Sequence, residues 1–425
     1  MKIPYGKKWL EFPEGLNAEI LIPQTSQAGS KSEAEEEAIV QAAMAAPIGS
    51  QPLYKIAEGI KNAVIIISDH TRPVPSKRIL PSMLKEIRAG SPSADITLLV
   101  ATGGHRGTTN DELIEKLGED IVKNERIVIH DCVSSPTVNL GVLPSGTDLV
   151  INRLAAQTDL LVAEGFIETH FFAGFSGGRK SVLPGICSLK TVLGNHRSSF
   201  IGNEFARSGI LVNNPIHHDM EAAVSMIGLK YIVNVVIDAE KRVEAAFAGD
   251  PIQAHRAGCA WLAPRVTVKA SKPGGIVVTT NGGAPLDQNV YQSVKGMTAA
   301  EACAAEGAVI IMCAECADGV GSDGMYRDMR DCESPHALIE ELEKRSADET
   351  VHDQWESQVL ARILCKYRVI MVTDSKIKQE ILDMKMEYAG TLDEALDLAL
   401  EAKGLDAGII VIPDGVSVIA GGSGE

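Results

Sequence analysis

Short runs of β-branched and aliphatic residues recur along the chain, separated by stretches whose apolar positions fall three and four apart. Asn62–Ser68 (NAVIIIS) is apolar without alternation, which predicts a strand buried on both faces, and a helical stretch follows near Ser76–Ala89. Asp95–Ala101 (DITLLVA) predicts a second strand. The helix after it opens on Thr109-Asn110-Asp111-Glu112, a capping box in which the Thr hydroxyl and the Glu carboxylate satisfy the first free amides. Thr158–Glu164 and Lys230–Ile237 predict two more strands. After Pro264 the pattern restarts with Gly275–Thr280, Ala308–Met312, Arg368–Thr373 and Ala407–Ile412. Unbroken apolar strands joined by helical crossovers imply an α/β protein with mostly parallel sheets covered on both faces. The polar Lys269–Gly274 (KASKPG) is the best linker, so the sequence reads as two domains, 1–270 and 271–425, with the active site in the cleft between them. Ser26–Ala38 reads as a polar connection or the start of a solvated helix, Gly194 as a helix C-cap, and Gly421–Glu425 as a tail without structural weight.

Composition narrows the function. The 425 residues carry 56 acidic and 40 basic side chains, a formal charge of -16, with no concentrated Lys/Arg stripe. Nucleic acid and anionic membrane are therefore unexpected partners, since both demand clustered positive charge. No apolar run approaches the roughly 20 residues of a membrane span, and MKIPYGKKWLEF lacks the apolar core of a signal peptide. Eight irregularly spaced cysteines suit reduced thiols. The expectation is a cytoplasmic protein that acts on a small molecule, its oligomeric state open.

The candidate chemistry follows the strands. Asp69-His70-Thr71-Arg72-Pro73 comes directly after the first, Thr102-Gly103-Gly104-His105-Arg106-Gly107 after the second, and Glu168–Lys180 (ETHFFAGFSGGRK) after the third. In open α/β sheets the loops beyond the carboxyl ends of parallel strands converge on one crevice, where ligands bind. Each motif alone also has a plain structural reading: His105-Arg106 as a solvated loop pair, His170 beside two Phe as a packed histidine satisfied by a carbonyl, and Arg179-Lys180 as a surface basic pair opening a helix. In favour of chemistry, Gly177-Gly178-Arg179-Lys180 puts an amine beside a cation, which lowers an ammonium pKa and suits a nucleophilic or acylable lysine. No four-ligand zinc set can be written. Cys313 and Cys316 read as structural thiols, and the adjacent His217 and His218 point in different directions. Any metal would take few protein ligands, with a cofactor supplying the rest.

Together with Gly194-Asn195-His196-Arg197, Tyr291-Gln292-Ser293-Val294-Lys295-Gly296 and His352-Asp353-Gln354-Trp355-Glu356, these motifs resemble the nickel-pincer lactate racemase family, in order and across nearly the whole chain. The resemblance implies a covalently tethered nickel pyridinium-3,5-bisthiocarboxylate mononucleotide. Lys180 would carry it through a thioamide, and His196 would complete the nickel coordination. Asp69, His70, Thr71 and Arg72 would contact the cofactor, with Arg72 also near the substrate. His105 and His170 correspond to the two proton-transfer histidines. Gln292 and Lys295 would hold the substrate, and Trp355 would line the site. Cofactor-building proteins are the implied partners, and lactate is the default substrate, with malate and longer aliphatic or aromatic 2-hydroxy acids fitting the same chemistry.

That chemistry is coherent. Proton abstraction from a 2-hydroxy carboxylate is difficult, because the carbon acid is weak and its neighbour is already anionic. Removing hydride, passing through a flat 2-keto acid and returning hydride to the other face avoids this, but no side chain accepts hydride, so a cofactor must. The hydroxyl proton needs a base, and mirror-image substrates call for two. Two competing readings remain at this point: a Lys180-dependent enzyme of another class, or a non-catalytic nucleotide-binding module.

Overall fold

Two six-stranded sheets organise the chain in the computed structural model, which describes residues 1–23 and 31–421. In the first, the spatial order is Val243–Gly249, Tyr231–Ile237, Leu160–Phe166, Asn62–Ser68, Asp95–Ala101, Arg126–Ile129. All neighbours run parallel except Val243–Gly249, which is antiparallel to Tyr231–Ile237. The second sheet is parallel throughout, in the order Glu387–Ala389, Arg368–Val372, Ala304–Cys313, Gly274–Thr280, Ile409–Ile412, Ala18–Ile20. The expected α/β architecture is present. The unbroken apolar runs are buried for the reason their pattern suggests: helices cover both faces, and Ile65, Ile66, Ile310 and Ile311 are fully excluded from water. Each such side chain contributes about 1.5–3 kcal/mol relative to exposure.

Two sequence expectations need correcting. The segment 1–23 was assigned to the first domain, yet Ala18–Ile20 pairs with Ile409–Ile412, and Gly6 N–H donates to Asp287 Oδ2 at 2.6 Å, so the chain's start belongs to the second lobe. A three-residue edge strand is too short to show periodicity. Gly194 does not cap its helix. It lies inside Leu189–Asn195, and His196 is the C-cap. A Cβ at Gly194 would meet Thr147 Cγ2 at 2.4 Å, so close packing rather than capping calls for glycine there. At the linker near 270, Thr267–Lys269 runs parallel to Ile419–Gly421. Of Ser26–Ala38, residues 26–30 lie outside the described residues; the remainder starts the helix Glu33–Ala45, capped by Ser32 and Glu35. Gly421 ends a strand, and 422–425 lie outside the described residues.

The first sheet has its topological switch at Asn62–Ser68. The chain moves from there to one side through Asp95–Ala101, then to the other side at Leu160–Phe166. The loops leaving these three strands therefore open into one crevice. The second lobe covers it: Thr169 Oγ1 donates to the Val416 carbonyl at 2.7 Å, and Gln358 Nε2 donates to the Ser198 carbonyl at 3.0 Å. No helix among the described residues is long and apolar enough to cross a membrane.

Candidate active site

Between the lobes lies a cavity of about 50 Å³ lined by Arg72, Glu168, His170 and Phe171 from the first lobe and by Lys295 and Val416 from the second. Each wall follows from local structure. Asp69–Arg72 is the turn after Asn62–Ser68, closed by the Arg72 N–H to Asp69 carbonyl bond. The Thr71 hydroxyl donates to Asp69 Oδ1 at 2.7 Å, which leaves Oδ2 for His105, whose Nδ1 is 2.7 Å away. Asp69 is only 1% exposed and His105 44%, so a buried carboxylate orients an accessible imidazole. Burial works against the charge on Asp69, but the His105 hydrogen bond, the Thr71 hydroxyl and nearby Arg72 together hold its carboxyl below the usual range. A carboxylate accepts only, so Nδ1 of His105 carries a proton, and in the neutral ring the lone pair sits on Nε2. His70 is engaged elsewhere, with Nδ1 3.1 Å from Thr108 Oγ1.

The third loop is almost wholly buried. His170 stacks on Phe171 with centroids 5.2 Å apart, and its edge meets Phe172 at 4.5 Å. Burial, reinforced by Lys180, Lys295 and Arg72, drives its pKa well below the ordinary imidazole value. Lys180 follows the left-handed Gly177 and Gly178, where a Cβ would strike the Phe166 carbonyl or the His255 ring. Burial and the adjacent Arg179 and Arg72 push the Lys180 ammonium well below its normal pKa, toward a neutral amine. That is the nucleophilic form.

His196 caps Leu189–Asn195 and packs between Phe172 (5.3 Å) and Trp355 (5.0 Å). Its Nδ1 lies 3.0 Å from the Val192 carbonyl and must donate there, which leaves Nε2 free as a metal donor. Among the described residues no group of three His, Cys, Asp or Glu could hold a metal ion by itself. A lone imidazole donor together with a half-buried lysine of lowered pKa fits a metal whose remaining ligands arrive with a tethered cofactor.

From the second lobe, Gln292 and Lys295 lie on one face of Val290–Cys303, with Lys295 Nζ 2.5 Å from Gln292 Oε1. Trp355 is set by a polar hub the sequence did not reveal. Its Nε1 donates to Tyr291 Oη at 3.1 Å, Tyr291 Oη donates to Asp353 Oδ1 at 3.1 Å, and Ser322 and His352 also bond Asp353. Asp353 adopts φ +68°, and its place within the His-Asp-Gln-Trp-Glu run was the signal available. His352 reaches across the cleft: a Cβ on Gly104, beside His105, would lie 2.8 Å from its Nε2. Also unassigned in the sequence were Glu168, in the cavity wall, and Glu356, whose two carboxylate oxygens are buried without a hydrogen bond.

Residues 5–209 match the family model described as the lactate racemase N-terminal domain, and 269–420 match the lactate racemase C-terminal domain. The chain belongs to the lactate racemase family. A curated lactate racemase of Thermoanaerobacterium thermosaccharolyticum is 53% identical over 99% of this chain and 98% of its own length. That of Lactiplantibacillus plantarum is 46% identical over 98% of both. The solved lactate racemase apoprotein of T. thermosaccharolyticum superposes with a TM-score of 0.94 at 52% identity, covering 99% of each chain. A Thermotoga maritima protein at 18% identity shares the fold with a TM-score of 0.65. Family membership makes the chain an isomerase of the racemase type.

Proposed function

We propose that this chain interconverts the enantiomers of lactate by removing hydride from C2, forming the 2-keto acid and returning hydride to the opposite face. The observation that carries the reading is the cavity wall shared by His170 and the two basic residues Arg72 and Lys295, with the Asp69-oriented His105 on a neighbouring loop and the half-buried Lys180 close enough to lower the His170 pKa. The site fits the nickel pyridinium-3,5-bisthiocarboxylate mononucleotide implied by the family resemblance: Lys180 would hold it covalently, and His196 would give nickel its protein ligand through Nε2. Asp69, His70, Thr71 and Arg72 lie on the loop that would flank it. When bound, that group supplies the hydride-accepting centre that no amino-acid side chain offers.

The remaining work falls to the chain. Arg72 and Lys295 hold the substrate carboxylate, a fixed-charge interaction strengthened by the low dielectric of the cleft. Gln292, bonded to Lys295, orients the ammonium and faces the hydroxyl. His105 accepts the hydroxyl proton at Nε2 from one enantiomer, and His170 serves the other. Such a base contributes about 10²–10⁴-fold. Trp355 and Phe172 pin His196 and exclude water. The lactate methyl meets Phe171 and Val416.

The test is a panel of single-enantiomer 2-hydroxy acids, lactate and malate included, incubated with protein produced beside its cofactor-building partners and analysed by chiral chromatography. Racemisation of lactate above the others is expected. No conversion of lactate by nickel-loaded protein would refute the assignment.

A further inference from the structure

The turn that carries His170 is clamped from behind by a buried network that the proposed reaction does not use. The N–H groups of Ala173 and Phe172 point at His170 Nδ1, at 3.2 and 3.5 Å. A backbone N–H only donates, so Nδ1 accepts and the neutral ring carries its proton on Nε2. His105 is the reverse: its Nδ1 donates to Asp69, and Nε2 is bare. The residues that aim the two N–H groups are held in turn. Arg179, 2% exposed, donates from Nη2 to the Ala173 carbonyl at 2.7 Å and from Nε to His217 Nδ1 at 2.8 Å. Its Nη1 lies 2.9 Å from His255 Nε2, and His217 Nε2 lies 3.3 Å from Glu221 Oε1. Asn214 Nδ2 donates to the Phe172 carbonyl at 2.9 Å. A buried guanidinium is costly to desolvate, and its planar fork is suited to fixing several acceptors at once.

We propose that Arg179 is a positioning residue which, through Ala173, holds His170 in the Nε2–H tautomer, so that His105 and His170 begin the reaction in opposite tautomers. The inference rests on the reading of both imidazoles as facing the substrate oxygen. At rest His105 presents a proton acceptor to the substrate oxygen, and His170 presents an N–H that steadies the oxygen left when the hydroxyl proton departs; His170 becomes the base for the other enantiomer only after its proton shifts from Nε2 to Nδ1, the step that the clamp opposes. Burial, with the nearby Lys180, Lys295 and Arg72, pushes the His170 pKa down, so its tautomer is the variable that the Arg179 clamp controls. His217, which the sequence offered only as structural, acquires a role as an acceptor for the clamp, and His255 packs beside it with Nε2 2.9 Å from the Ser176 carbonyl.

The experiment is long-range 1H–15N correlation spectroscopy on the full chain with 15N-labelled histidine, with and without the cofactor. His105→Gln and His170→Gln serve to assign the signals. The expected spectrum shows Nδ1–H for His105 and Nε2–H for His170, the alternative tautomer of each staying under about a tenth. Arg179→Met should bring the His170 minor tautomer to a comparable population while His105 is unchanged. Arg179→Lys should restore it only in part. Proton on Nδ1 of His170 in the unmodified chain, or an imidazolium there, overturns the proposal. So does an unaltered His170 pattern in folded Arg179→Met. Should neither Arg179 variant fold, His217→Leu removes one acceptor and leaves the guanidinium in place; a His170 spectrum unchanged by it also counts against the clamp. The spectra do not depend on turnover, so a failed racemase assay would sink the functional reading and leave this one to be judged separately.

Discussion

Asp69→Asn is the sharpest perturbation of the proposed base. In the native site the Thr71 hydroxyl and N–H both donate to Asp69 Oδ1, at 2.7 and 3.2 Å, and His105 Nδ1 donates to Oδ2 at 2.7 Å. An asparagine must keep its oxygen toward Thr71, because both groups there are poised to donate. Its NH₂ then faces His105, which can only answer with a bare Nδ1. The imidazole proton moves to Nε2, and the lone pair that should take the hydroxyl proton is gone. A base contributes about 10²–10⁴-fold, and forcing the wrong tautomer on a catalytic histidine can cost about 10⁴. The expected loss in kcat is therefore about 10²–10⁴-fold, or about 2.7–5.5 kcal/mol of transition-state stabilisation. Racemisation should be measured from each enantiomer, with the mass addition on Lys180 and the nickel content measured on the same preparation. A fully loaded variant within about tenfold of the unmodified rate would refute the reasoning. Stability gives a second check with a definite sign. Asp69 has a folded pKa below its unfolded value, so its contribution is present above the unfolded pKa and is lost as pH falls through the folded one. The asparagine variant should lack that acid limb in its melting curve.

Other outcomes follow from the same geometry. Lys180→Ala should show no covalent mass addition, and His196→Ala should retain the addition but lose nickel; mass spectrometry and metal analysis decide both. Glu356→Gln should raise the KM for hydroxy acid about tenfold, equivalent to about 1.4 kcal/mol, with a smaller change in kcat. The reason is that burial pushes the Glu356 carboxyl up and the Lys295 amine down, and each charge supports the other. An unchanged KM would dismiss Glu356 as the counter-charge. Gly194→Ala should cost roughly 1–3 kcal/mol in denaturant unfolding, the usual penalty for overpacking, since its Cβ falls on Thr147.

The fold's repeating part was legible because parallel strands covered on both faces must be apolar along their length, as Asn62–Ser68 and Asp95–Ala101 are. What escaped was set by long-range pairing. Ala18–Ile20 joins the far sheet, and Val243–Gly249 is an antiparallel edge with a mixed pattern that carries no periodic signal. The proximity of the three loops was readable from strand order, since the switch at Asn62–Ser68 gathers them. The partners that tune each side chain were not. Asp69 was read as a cofactor contact, and the structure adds what no motif showed, its hydrogen bonds to Thr71 and His105. The Asp353 hub joins Tyr291, Ser322 and Trp355 from separate helices, and nothing in their spacing brings them together. His217 and His218 show how far adjacency helps: one is buried on Arg179, and its neighbour is exposed.

Lactate deuterated at C2 tests the central claim most directly. The holoenzyme, incubated in ordinary water with one labelled enantiomer, should yield the other with its deuterium retained and with a slowed rate, because the hydrogen leaves and returns as hydride without meeting solvent. Product of the opposite configuration carrying protium at C2 would mean that a proton had been abstracted and exchanged, and would contradict the account.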